Sequence, residues 1–72
     1  MVNHYNTRIV RDSGNYIVKL AERDGLCREI VFRNGEQIHY AEFPASNLWG
    51  AKRGEYLEVM GESIADKWER EA

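Results

Sequence analysis

Asp24-Gly25-Leu26-Cys27-Arg28-Glu29-Ile30-Val31-Phe32-Arg33-Asn34-Gly35 sets a short run rich in Ile, Val and Phe between two dipeptides of one kind. Asp-Gly and Asn-Gly are the preferred two-residue hairpin loops, because both central residues of the turn must take positive φ. A strand held between two such loops pairs antiparallel with a neighbour on each side. Outward from it, Asp12-Ser13-Gly14-Asn15 is a third turn signal, and the segments between the turns predict strands at about 5–11, 16–21, 26–33 and 36–43. A four-stranded antiparallel meander follows.

The turns also predict a register. Closing Asn34-Gly35 pairs Val31 with Ile38, closing Asp24-Gly25 pairs Val18 with Val31, and the first turn pairs Ile9 with Val18. The result is one apolar row, Ile9–Val18–Val31–Ile38, with Tyr5, Tyr16, Leu20, Cys27 and Tyr40 on the same face. A one-residue slip would scatter that row, so this face is the expected core. The opposite face carries Val10, Ile17, Phe32 and Gln37 beside Arg8, Lys19, Ile30 and His39. Two arrangements account for it. It packs under the C-terminal segment, or it stays open as a patch for a partner.

Pro44 ends the fourth strand, since it cannot donate to a ladder. Ala45–Trp49 suits one tight helical turn closed by Gly50, with Trp49 as a core plug. Tyr56–Met60 reads two ways. As a strand it has β-rich composition between Gly54 and Gly61; as a helix it extends a stripe of Tyr56, Met60, Ile64 and Trp68 at a spacing of four. Gly61 inside that helix would cost about 1 kcal/mol, so a fifth strand at 55–60 is expected. The domain then spans 1–61, and 62–72 is an acidic tail, a short helix from Ser63 or disordered.

Seventy-two residues make one domain near the lower limit for unaided folding. A composition of 43% hydrophobic and 31% charged residues is that of a globular chain. No apolar run approaches the ~18 residues that cross a bilayer. Met1 to Asn6 lacks the basic-then-apolar layout of a signal peptide, and the lone Cys27 suits a reducing compartment. A cytoplasmic monomer is expected. The net charge of −2 is unevenly spread: residues 1–53 hold eight Lys/Arg and six Asp/Glu, residues 54–72 two and six. A balance so close to neutral argues against a duplex-DNA binder, which needs several phosphate-neutralising cations on one face.

The stretch Leu48-Trp49-Gly50-Ala51-Lys52-Arg53-Gly54-Glu55-Tyr56-Leu57-Glu58-Val59 resembles the ending of a family of short bacterial β-barrel proteins, roughly L-P-x-G-A-K-x-G-D-x-L-E-V. The family's D-R-x-x-x-G-x-x-x-V opening is similar to Arg8-Ile9-Val10-Arg11-Asp12-Ser13-Gly14-Asn15-Tyr16-Ile17-Val18. The opening Asp-Arg is absent, the Pro near Trp49 is missing, and Glu55 replaces Asp. The resemblance covers about residues 7–60 and implies a five-stranded SH3-like or OB-like barrel, with Leu57 or Val59 closing onto the first strand. It implies no activity.

Catalysis and metal binding find little support in the residues. Metal ligation needs clustered Cys, His and carboxylates, whereas His4, Cys27 and His39 lie on separate strands, with Cys27 and His39 expected on opposite faces. No cofactor motif is present, and Cys27 on the core face would act as a small hydrophobe. Binding is the expected role. An apolar centre with a cationic rim nominates Arg8, Val10, Ile17, Lys19, Arg28, Phe32 and His39 as partner-contacting residues. In size, β-rich layout, acidic tail and single cysteine the chain is similar to the very short proteins that bacteriophages, including those of Xanthomonas, use to bind host RNA polymerase. That resemblance implies a phage regulator that inhibits transcription initiation and promotes antitermination in the host cytoplasm. A small-barrel nucleic-acid module and an inhibitor of a host defence complex are the alternatives.

Overall fold

A computed structural model of the chain describes residues 1–48 and 50–71. Four strands, β1 (Asn3–Arg11), β2 (Gly14–Arg23), β3 (Leu26–Arg33) and β4 (Glu36–Pro44), form one antiparallel sheet in the order β1-β2-β3-β4. A 3₁₀ turn (Ala45–Leu48) leads to a single helix, α1 (Arg53–Glu71). The expected core plug, Trp49, lies outside the described residues.

The two quoted dipeptides behave as their chemistry requires. Asp24 and Gly25 take φ of 51° and 79°, Asn34 and Gly35 of 49° and 85°, the left-handed pair of a type I′ turn. They pair Val18 with Val31 and Ile17 with Phe32, as the sequence predicts. The first turn is tighter than expected. Its loop is only Asp12-Ser13, Gly14 already belongs to β2, and Ile9 stands opposite Tyr16 while Thr7 takes Val18. A shift of two residues preserves the alternation, so Ile9, Tyr16, Val18 and Leu20 still share the buried face.

A second correction changes which face residues occupy. The β3–β4 register runs Arg33↔Glu36 and Phe32↔Gln37, then jumps to Val31↔His39, leaving Ile38 as the extra residue of a β-bulge. Beyond that point every β4 side chain is on the face opposite to expectation. His39 and Phe43 turn toward the core side, and Tyr40 turns out, 48% exposed. Cys27 and His39 therefore share a face.

The segment expected as a closing strand is helical, and the sheet stays open rather than closing into a barrel. Leu57, Gly61 and Ala65, four residues apart, form the buried stripe of α1. Gly61 is the point of closest approach: a Cβ there would stand 2.8 Å from Ile9 Cγ1 and from Val18 Cγ2. The glycine that weighs against a helix on propensity alone lets this helix seat directly on the central row of the sheet. Of the stripe of the helical alternative, Tyr56, Met60 and Ile64 flank that seam half-buried, and Trp68 is exposed. Residues 62–71 thus belong to a helix continuous with the part packed on the sheet.

Polar ties hold both ends of α1. Near its start, Arg53 donates to Glu22 of β2 at 2.8 Å and to the carbonyls of Leu48 and Ala51. Near its end, Arg11 of β1 pairs with Glu62, Asp66 and Glu69, and the Ser13 hydroxyl donates to Glu69. Opposing carboxylates raise the Arg11 pKa still further, the hydrogen bond that Arg11 donates to Asp66 contributing most. With Gly61 on Ile9 between them, these ties lay α1 alongside β1 in the same direction.

Candidate partner-binding face

Because α1 covers one face of the sheet, the other is left uncovered by any described residue. Its side chains form cross-strand rows given by the register: Arg8–Ile17–Phe32–Gln37, then Asn6–Lys19–Ile30–Tyr40, then His4–Ala21–Arg28–Glu42. Ile17 and Phe32 sit side by side at the centre, half-buried by their neighbours, and Val10 stands 69% exposed at the margin. Six of the seven nominated residues, Arg8, Val10, Ile17, Lys19, Arg28 and Phe32, lie here. The seventh, His39, does not, because the bulge carries it to the helix side.

The face has its own internal order. The Lys19 ammonium lies 5.6 Å from the Phe32 ring centroid, a cation–π contact that fixes a charge beside the apolar centre. Arg28 pairs with Glu42 at 3.5 Å, and the Tyr40 hydroxyl donates to the same carboxylate. That hydrogen bond raises the Tyr40 pKa and keeps the phenol neutral. Arg8, Lys19, Arg23 and Arg28 all belong to this side, whereas α1 carries six acidic residues against three basic ones. The molecule is electrically two-sided: cations on the open sheet face, carboxylates on the helix.

Tyr40 was not foreseen as part of this face. A signal for it does exist in the sequence. The apolar positions of the fourth strand change parity between Ile38 and Phe43, both packed on the core, and only an inserted residue reconciles the two.

Under the helix lies a polar cluster that composition does not announce. Glu29 is 1% exposed, and its two oxygens take the Tyr56 hydroxyl at 2.7 Å and His39 Nε2 at 2.9 Å. Glu29 thereby links a residue of the helix to one of the neighbouring strand. Burial, then the hydrogen bond to Glu29, pushes the Tyr56 pKa far above the ordinary phenol value. Cys27 is fully buried beside this cluster, and desolvation raises its thiol pKa, the reverse of what a nucleophile needs. The cluster joins β3, β4 and α1. Its chemistry is that of a buried latch.

Among the described residues no three His, Cys, Asp or Glu side chains gather as a metal would require, although Cys27 and His39 share a face. No helix among them is long and apolar enough to cross a membrane. No family model, no curated protein and no solved structure matches this chain.

Proposed function

We propose that this protein is a small stoichiometric regulator that docks through its open sheet face on a larger protein. One observation carries the reading. A helix seals one face of the sheet, while the other keeps Ile17 and Phe32 at its centre and Val10 at its margin, bordered by Arg8, Lys19 and Arg28. An apolar centre with an arginine-rich rim is the composition of interface hot spots. The resemblance to short phage proteins names the partner as a subunit of bacterial RNA polymerase. Binding there would act by occupancy, altering sigma-factor contacts so that initiation falls and terminators are read through.

A second reading, single-stranded nucleic-acid binding, is favoured by one specific feature. The bulge puts Tyr40 on the same cationic face as Phe32, and two aromatics among cations can stack bases. Pull-down from bacterial lysate with the tagged chain, with and without nuclease, separates the two. Recovery of polymerase subunits that survives nuclease supports the regulator. Recovery lost on nuclease treatment supports the nucleic-acid module, and capture of a host defence complex instead would replace the polymerase as target.

A further inference from the structure

The two edges of the sheet are not equally protected. β4 carries the bulge at Ile38 and ends in Pro44, two devices that spoil an edge for pairing. β1 has neither. It pairs with β2 through nine consecutive residues without a break, and its other edge hydrogen-bonds no described backbone. Along that edge runs a groove of about 650 Å³, with Thr7–Val10 as one wall and Glu58, Val59, Glu62, Ser63 and Asp66 of α1 as the other.

Glu58, Glu62 and Asp66 recur every fourth residue, so they form a carboxylate stripe with a rise of about 6 Å per step. An extended chain presents same-side residues about every 6.7 Å. The helix runs alongside β1 in the same direction, so the two repeats stay nearly in step over the length of the groove. Val59, 71% exposed, adds an apolar contact on that wall.

We propose that the β1 edge takes an extended, basic segment of a partner protein as a fifth strand, with alternate Lys or Arg side chains on the Glu58–Glu62–Asp66 stripe. Main-chain bonds to β1 supply the affinity and the carboxylates supply the selectivity, the usual division in strand addition. Arg11 neutralises part of the charge on Glu62 and Asp66, leaving exposed Glu58 as the strongest selector. A second copy of this chain is a poor occupant. Pairing β1 with β1 would set two carboxylate stripes on the same side of the joined sheet, facing one another.

The test uses the full chain, labelled for NMR, with the peptide acetyl-Thr-Lys-Val-Lys-Val-Lys-Thr-amide as probe. Two control peptides carry Glu in place of each Lys, or N-methyl groups at alternate residues that block strand addition. The proposal expects shifts and slowed exchange at β1 amides. It expects binding about tenfold or more weaker for both controls and for the Glu58→Lys variant, which stays folded because the residue is exposed. Equal binding of all three peptides, shifts centred on Phe32 instead of β1, or no response at β1 would overturn it. So would β1 protection that grows with protein concentration alone, the mark of self-pairing.

Discussion

The Tyr56 hydroxyl, on the helix, donates to Oε1 of the buried Glu29 at 2.7 Å, so the seating of α1 and the satisfaction of a buried carboxylate are one event. The phenol ring also meets Phe43 edge-on, with centroids 6.1 Å apart, which ties the end of β4 into the same contact. Removing the hydroxyl while keeping the ring isolates the polar part. Tyr56→Phe is expected to lower stability by about 1–3 kcal/mol, because one carboxylate oxygen loses its donor in a dry site. Urea unfolding followed by circular dichroism measures it. In a Glu29→Gln background the same substitution is expected to cost less, since a neutral amide left without that donor is cheaper to bury than a charge.

Gly61 makes the opposite of the usual prediction for a helical glycine. Propensity alone says that Gly61→Ala stabilises by about 1 kcal/mol. The added methyl would stand 2.8 Å from side-chain carbons of both Ile9 and Val18, in the centre of the core. Overpacking of that kind costs about 1–3 kcal/mol and outweighs the gain, so a lowered unfolding midpoint is expected. Gly54→Ala is the control, since nothing lies within 4 Å of its added carbon. It is expected to be neutral or to stabilise by a few tenths of a kcal/mol, up to about 1.

The Glu22–Arg53 pair gives a pH dependence with a definite sign. The guanidinium of Arg53 holds the Glu22 carboxyl below its ordinary value of 4.5. A carboxyl lowered in the folded state binds fewer protons there than in the unfolded chain. Its stabilisation is therefore complete above about 4.5 and drains away as pH falls through the lowered value. Comparing urea midpoints of the wild-type chain and Glu22→Gln across acid pH reads this directly. The wild type is expected to be the more stable at neutral pH, with the gap closing below 4.5; a constant gap would assign the effect of Glu22 to packing.

At the alkaline end two groups act together. Burial raises both the Cys27 thiol, from an ordinary 9.0, and the Tyr56 phenol, from an ordinary 10.0. Each stays protonated in the fold after its unfolded counterpart has ionised, so stability falls as pH climbs beyond about 9. Cys27→Ala is expected to flatten the first part of that decline in a pH series of unfolding midpoints, and Tyr56→Phe the later part.

The hairpins were legible because Asp24-Gly25 and Asn34-Gly35 encode a backbone conformation locally, in residues that tolerate positive φ. What was hidden depends on partners distant in sequence. Gly14 reads as a turn residue, yet it starts β2, packed against the side chain of Asn34 from the β3–β4 loop. Gly61 reads as a helix breaker until Ile9 and Val18 are known to lie beneath it. The bulge at Ile38 moved His39 off the candidate face and Tyr40 onto it, a change of side that one inserted residue produces and turn chemistry does not announce. The six other nominated residues kept their place because the β1–β2 shift was an even number, which preserves alternation.

Val31 and Phe32 are chain neighbours on opposite faces, and they make the strongest test of the proposed docking surface. Val31 is fully buried on the core face, while Phe32 lies half-buried on the open side with Lys19 over its ring. Val31→Asp places an unpaired charge in the core and is expected to unfold a domain of this size. Phe32→Asp loses only partial burial and one exposed cation–π contact, together about 1–2 kcal/mol, so its circular dichroism spectrum should stay native. Combined with Ile17→Asp, it removes the apolar centre while leaving Arg8 and Arg28 in place. If the open face docks on a protein, the folded double variant recovers no partner from lysate. Undiminished recovery by that variant would move the binding site to another surface, and the β1 groove would be the first place to look.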